Sequence, residues 1–331
     1  MSRRALAAVA ALAMAMAAPA RRPVLSASSA PPESAPTKAV PRTSDGRPDL
    51  QGYWTNDSYT PLERPAELGT KALFSEEEAA AHLKRHVDLL HGQAKDNIHY
   101  DDAIWQGENY DKLAHLRTSL IVDPPDGRVP PLTPEGAARE AVRVEASRRR
   151  GPADSAEYRS LAERCISWGN VGPPMVPPTY NANFQVVQTP ALVVIRHEMM
   201  HDVRMVAMDG SPHLGADLRQ LAGDSRGRWE GDTLVVETTN FTDETNFRGA
   251  PARTRQDILA SAALRVVERF TPIDADTIRY EFTVEDPGTW IRPWSGEMPI
   301  RRFGGPIYEF ACHEGNYGLS NILNAARVLG Q

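Results

Sequence analysis

The stretch Thr277-Ile278-Arg279-Tyr280-Glu281-Phe282-Thr283-Val284-Glu285 decides the fold class. Ile278, Tyr280, Phe282 and Val284 share one parity, and Thr277, Arg279, Glu281, Thr283 and Glu285 the other. A period of two, with aromatic and β-branched residues on one side, is a strand with one buried face. The pattern extends in both directions. Leu264 to Thr271 precedes it across Asp274-Ala275-Asp276, and Glu297 to Arg302 and Ile307 to Ala311 follow as further strand candidates. Arg228-Trp229-Glu230 and Thr233 to Thr239 flank Gly231-Asp232, a tight-turn signal. Gln185 to Gln188, Leu192 to His197 and Val203 to Met208 are apolar, β-branched and separated by turn chemistry. Sequential strands with short connections form a meander, and closing it removes exposed edges. The expectation is a mainly β fold with accessory α. It is an up-and-down antiparallel β-barrel or strongly curved sheet, lipocalin-like, over residues 184–331; a two-sheet sandwich is the alternative.

Residues 48–183 read as a helical and loop region packed outside that barrel. Gln51 to Thr55 is a short strand, and Ser75 before Glu76-Glu77-Glu78 is a capping box opening a helix to about Leu90. Residues 91–116 have no clear period and read as a long loop. Thr118 to Val122 is a strand ending in the turn Pro124-Pro125-Asp126-Gly127. Thr133-Pro134-Glu135 opens a helix through about Arg149, and a third short helix is expected from Ser155 to Cys165. The Pro-rich stretch Gly172 to Pro178 ends this part.

The first residues have a different character. Arg3 and Arg4 precede an uncharged apolar run from Leu6 to Ala18, and Ala18-Pro19-Ala20 has the small-x-small pattern of a cleavage site. The run is short for a bilayer span, so residues 1–20 are expected to be a cleaved signal peptide and the protein periplasmic or secreted. Residues 21–47, rich in Pro, Ser and Ala, read as a disordered linker.

Composition narrows the function classes. The 331 residues carry 37 Lys+Arg against 43 Asp+Glu, a formal charge of −6 that becomes −8 without the two arginines of the leader. Such a chain has no basic face for nucleic acid and no basic amphipathic stretch for a membrane surface. Neither a nucleic-acid partner nor stable membrane insertion is expected; a small molecule is. The 27 prolines are about 8% of the chain, above the usual 5%, which disfavours a helical bundle. In an oxidising compartment Cys165 and Cys312 are expected to form a disulfide. It would close a 147-residue loop, worth on the order of 4–5 kcal/mol in chain-entropy terms. The alternative is a catalytic thiol at Cys312 beside His313.

His197-Glu198-Met199-Met200-His201 matches the H-E-x-x-H of zinc peptidases, which needs a helix to place both imidazoles on one face. Here it lies between strand-like runs, where positions i and i+4 are about 13 Å apart. No cofactor is therefore expected, although His201, His213 and His313 remain a conceivable donor set for a divalent ion. His201-Asp202 and Cys312-His313-Glu314 could instead converge at strand ends as His–carboxylate pairs for acid–base work. His82, His86, His91, His99 and His115 read as surface residues. Glu268 lies in phase with Leu264, Val266 and Phe270, and Glu237 with Thr233 and Val235. A carboxylate on a buried parity demands a partner such as Arg204, Arg226 or Arg269. The glycines of 223–232 lack the Gly-Lys-Ser/Thr ending of a phosphate loop, and no Gly-x-Ser-x-Gly elbow is present.

Three motifs carry a resemblance: Gly46-Arg47-Pro48-Asp49-Leu50-Gln51-Gly52-Tyr53-Trp54, Gly227-Arg228-Trp229-Glu230-Gly231-Asp232-Thr233-Leu234-Val235-Val236, and Cys312-His313-Glu314-Gly315-Asn316-Tyr317. Over residues 46–325 the chain resembles a large family of exported, mostly uncharacterised bacterial proteins. The resemblance implies secretion and a β-rich fold and brings no activity or catalytic residues with it. In that family the position of His197 is often another residue such as tyrosine, which turns attention to His201-Asp202.

The functional expectation is an exported barrel enzyme using general acid–base chemistry, such as isomerisation, hydration, elimination or cyclisation, on a small organic molecule in its lumen. His313, Glu314, His201 and Asp202 are the acid–base candidates. Arg204 and Arg226 would orient an anionic group, with Trp229, Glu268, Tyr280 and Tyr317 lining the pocket. A non-catalytic lipocalin-like binding protein and a metal-dependent hydrolase are the alternatives.

Overall fold

A computed structural model describes residues 39–91, 116–149, 151, 153–168, 171–177, 181–243, 246–247 and 258–329. The expected leader, most of the linker, and most of the loop at 91–116 with His99 and His115 lie outside the described residues, as do the side chains of His86 and His91. The strands, in chain order, are β1 (Gly52–Thr55), β2 (Ile121–Asp123), β3 (Asn183–Gln188), β4 (Leu192–His197), β5 (Val203–Ala207) and β6 (Asp224–Glu230). They continue with β7 (Thr233–Thr239), β8 (Asn246–Phe247), β9 (Ile258–Leu259), β10 (Arg265–Pro272), β11 (Thr277–Glu285) and β12 (Trp294–Arg302). Three α-helices are present among the described residues: α1 (Glu76–His91), α2 (Pro134–Arg149) and α3 (Gly318–Leu329).

The sheet order β1-β3-β4-β5-β6-β7-β10-β11-β12 closes on itself through Trp54 opposite Arg302, which makes a nine-stranded barrel; β2 adds to the far part of β12. The parity read in β11 holds. Ile278, Tyr280, Phe282 and Val284 are buried, facing Val266, Glu268 and Phe270 of β10 and Trp294, Met298 and Ile300 of β12. The interior is filled by side chains. Phe270, Tyr280, Phe282 and Trp294 follow one another at centroid separations of 5.0 to 5.8 Å. At Gly296 a Cβ would sit 2.3 Å from the Phe282 ring, so only glycine fits there.

Five expectations need correction. The barrel is mixed, because β5 and β6 run parallel, joined only at Val206–Ser225 and Ala207–Arg226. Residues 208–223 carry the chain back along the barrel before β6, as any parallel pair requires, and their Gly and Pro residues do not distinguish that crossover from a hairpin. β1, from the region expected outside the barrel, is one of its strands. Residues 39–47, expected in the linker, are ordered: Thr43 and Gly46 close a turn, and Arg42 pairs with Asp232 in the β6–β7 turn. Residues 155–165 and 307–311 form neither the expected helix nor the expected strand. Ser155 caps a single turn at Ala156–Tyr158, and the reciprocal Ser160–Glu163 bonds start another, so two caps compete for one helix. Helix α3 was not foreseen, although Leu319, Ile322, Leu323 and Ala326 have helical spacing.

The interior holds a charge pair, Arg204 with Glu268, both nearly inaccessible. Arg204 donates from Nη1 to Glu268 Oε1 at 3.0 Å, from Nε to Ser225 Oγ at 3.0 Å and from Nη2 to Thr238 Oγ1 at 3.3 Å. The Tyr280 hydroxyl donates to Glu268 at 2.7 Å and accepts the Met175 N–H at 2.8 Å, linking the barrel to the inserted segment 171–177. Each charge thus has its partner and its hydrogen bonds, the condition under which burying it is tolerable. Truncating one side only, as in Glu268→Leu, is expected to cost about 3–5 kcal/mol in urea unfolding. The double variant Arg204→Met/Glu268→Leu should recover most of that loss.

Candidate functional site

The residues of the H-E-x-x-H match form the end of β4 and the turn into β5. His197 and Asp202 close the hairpin through His197 N–H to Asp202 O at 2.8 Å, and His201 N–H reaches Glu198 O at 3.1 Å. Met200 at φ 59° and His201 at φ 44° both take the left-handed conformation that side-chain-bearing residues avoid, at roughly 1–3 kcal/mol each. Hydrophobic burial imposes it. Met199 and Met200 bury their side chains against Ala162 and Val171, with Trp168, Phe310 and Cys312 packed alongside. Of the five described non-glycine residues at positive φ, four gather at this rim: Cys165, Asn181, Met200 and His201.

Three further segments meet the turn. The Cys165–Cys312 disulfide is formed, with Cα atoms 5.7 Å apart. It brings the segment after Phe310 to this end. Asn181 and Asn183 donate their amides to Glu198 at 2.8 and 3.3 Å, and the Tyr308 N–H donates at 3.4 Å. Burial nevertheless pushes the Glu198 carboxyl above its ordinary range, ahead of those three donors. Asp202 is also pushed up by burial, against the Val203 N–H and the charges of His201 and Arg204. His201 Nδ1 lies 3.1 Å from the Phe310 carbonyl, an acceptor only, so Nδ1 carries the proton and Nε2 is left as a base in the neutral ring. The arrangement therefore offers two desolvated carboxyls and an exposed imidazole of fixed tautomer, which is proton-transfer equipment.

The sequence candidates do not share one cavity. His201 and Asp202 are on the turn; His313, Glu314 and Tyr317 are exposed on the segment tethered by Cys312, with Tyr317 71% accessible. Arg204, Glu268 and Tyr280 are engaged with one another in the interior. Arg226 is on the outer face, because Ser225 and Gly227 take the inward parity of β6. It donates to Asp224 at 3.1 Å and to Ser211 at 2.9 Å. Trp229 lies at the opposite end of the barrel, beneath Arg47 at 5.9 Å. Glu237, placed inward by sequence parity, also faces out and pairs with Arg265, since Leu234, Val236 and Thr238 are the inward residues of β7. His213 bridges Asp224 at 2.9 Å and Glu237 at 3.6 Å there, tying the crossover loop down. Burial raises the Asp224 carboxyl, but the bonds from His213 and the Leu214 N–H and the charge of Arg226 more than offset it.

Among the described residues no group of three His, Cys, Asp or Glu is placed to hold a metal ion, so His201, His213 and His313 form no joint donor set. No described helix is long and apolar enough to cross a membrane. Residues that sequence reasoning missed are Glu198 apart from the zinc motif, Asn181 and Asn183. Their only signal is a pair of amides flanking the start of β3. No family model, curated protein or solved structure matches this chain.

His197 lies under the turn with its ring tilted on Phe184 at 5.6 Å and its Nε2 buried without a hydrogen-bond partner. Burial first, and the Arg204 charge second, push its pKa down to about 3 from 6.5. The folded state thus binds the proton less readily than the unfolded chain. This stability is complete above pH 6.5 and is lost as pH falls toward 3, on the order of 4–5 kcal/mol at most. The variant His197→Leu should flatten the pH dependence of urea unfolding between pH 6.5 and 4.

Proposed function

We propose that this protein is an exported enzyme performing general acid–base chemistry on a small organic molecule at the barrel rim. The observation that carries the reading is the turn 198–202. Its strained backbone holds two carboxyls of raised pKa beside a histidine whose Nδ1 is fixed on a carbonyl. Strained, desolvated titratable groups are characteristic of reacting sites. His201 Nε2 takes a proton from the substrate. Glu198, whose burial favours the protonated form, returns one. Asp202 lies next to His201 in the turn, where the His201 charge acts on its carboxyl. Isomerisation, hydration, elimination and cyclisation all need this pair of transfers and no covalent nucleophile. His313 and Glu314 follow Cys312, which packs against the buried methionines of the turn.

The rim replaces the lumen in this reading because the interior is filled by packed side chains, which also weighs against a lipocalin-like binder holding its ligand on the barrel axis. Export is supported by the leader pattern of residues 1–20 and by the disulfide.

Incubating the purified protein with a bacterial metabolite extract and following it by mass spectrometry and chromatography tests the reading. At least one compound should be converted. Glu198→Gln and His201→Gln should each slow that conversion by roughly 10²-fold while melting as the wild type does. The rate should fall at high pH as Glu198 ionises. Absence of any conversion, or wild-type rates in both variants, overturns the proposal.

A further inference from the structure

Residues 304–316 follow β12 and belong to no strand or helix themselves. Among the described residues, three hydrogen bonds tie them to the rest of the chain. The Tyr308 N–H donates to Glu198 at 3.4 Å, the Phe310 carbonyl accepts from His201 Nδ1 at 3.1 Å, and the Asn316 amide donates to Cys165 Sγ at 3.6 Å. The first two end on the turn 198–202 and the third on the disulfide. The apolar hold is in the same place, where Phe310 and Cys312 pack on Met199 and Met200. A segment without a ladder of backbone bonds opens at little cost, so the Cys165–Cys312 bond is what keeps this one down.

The contacts it keeps are those that define the rim chemistry. One fixes the tautomer of His201, one is a donor to Glu198, and the packing covers the two methionines whose burial holds Met200 and His201 at positive φ. Cys165, at φ 55°, is left-handed too, so strained backbone stands on both sides of the bridge. Both cysteines are partly exposed, within reach of a thiol or disulfide in solution, and with two cysteines in the chain no other internal pairing competes.

We propose that the Cys165–Cys312 bond is a redox switch that assembles the rim site; its catalytic consequence rests on the acid–base reading of the turn. With two thiols, residues 304–316 lift, His201 loses the carbonyl that fixes its ring, Glu198 loses the Tyr308 donor, and the uncovered turn relaxes. Exchange with a disulfide-bearing oxidant reverses this. The oxidant's S–S bond breaks, the Cys165–Cys312 bond forms, and the two protons and two electrons of the thiols leave on the oxidant as its own two thiols. A chain with reduced thiols is latent, and it becomes competent in an oxidising compartment. The barrel stays closed in both states, because neither its ladders nor the Arg204–Glu268 pair involves the segment.

Amide hydrogen exchange of the full chain, read by peptide mass spectrometry after short labelling, tests the proposal. The oxidised protein is compared with the same protein under dithiothreitol and with Cys165→Ser/Cys312→Ser. In both bridge-free forms the amides of 197–203 should exchange about tenfold faster or more, while those of β10 and β11 keep their protection. Reoxidation should restore slow exchange to the wild type and not to the serine variant. Unchanged exchange at 197–203 overturns the proposal. So does loss of protection throughout β10 and β11, the result expected of a bond that staples the whole fold. Conversion of a metabolite at the rim should stop on reduction and return on reoxidation. If exchange responds and nothing is converted in either state, the acid–base reading falls and the conformational switch stands.

Discussion

The Arg204–Glu268 pair is the constraint around which the barrel is arranged. β5 and β6 share only two register pairs, as few as the β1–β12 closure, and Arg204 reaches across their join. Its guanidinium engages Ser225 of β6, Thr238 of β7 and Glu268 of β10, so one side chain gathers three strands to a fourth. Glu268 in turn holds the Tyr280 hydroxyl, which fixes the backbone of Met175. A purely apolar interior would pack as tightly, but a hydrophobic contact does not dictate which strand sits opposite which. An ion pair taken out of water does, because any other register leaves a charge unmet at a cost of several kcal/mol. The parallel join departs from the antiparallel wall, and its two register pairs determine register only weakly. A directional polar contact is placed there.

Much of this was legible in the sequence for a specific reason. β11 and β10 are paired along their whole length with one face buried, so every residue of Ile278-Arg279-Tyr280-Glu281 reports its side. Glu268 on the buried parity of β10 announced a buried partner, and Arg204 was among the residues able to supply it. β6 misled because Arg226 is as arginine-like as Arg204, and only the register of Ser225 against Thr238 tells inward from outward. The parallel crossover was invisible because direction is decided by where residues 208–223 travel, not by their composition. The disulfide was legible by elimination, as the chain has two cysteines. The rim site was legible only in part. His201 and Asp202 stand out by type, whereas Glu198 acquires its character from Asn181, Asn183 and burial, none of them adjacent in sequence.

The rim shows how a costly backbone is kept. Left-handed Met200 and His201 would relax if the turn were free, but relaxing would expose Met199 and Met200, which are 1% and 6% accessible. Burying two methionine side chains contributes about 1.5–3 kcal/mol each, comparable to the strain of two left-handed residues. The balance holds only while something covers them, and that cover comes from Phe310 and Cys312. The disulfide is therefore coupled to the turn: it holds in place the surface that makes the strained conformation the favourable one.

The packed interior also sets the electrostatics of the rim. At the rim, burial withdraws solvent from Glu198 and Asp202 and raises their proton affinity, which suits groups that must exchange protons. Arg302, at the end of β12, rests on the Trp54 ring and on the carbonyls of Gln51 and Ala275, with the charges of Asp276 and Asp49 acting on it. Phe270, Tyr280, Phe282 and Trp294 fill the interior instead of a water-filled lumen. The filled core thus removes the axis as a binding cavity and leaves the chemistry proposed for this fold to its rim.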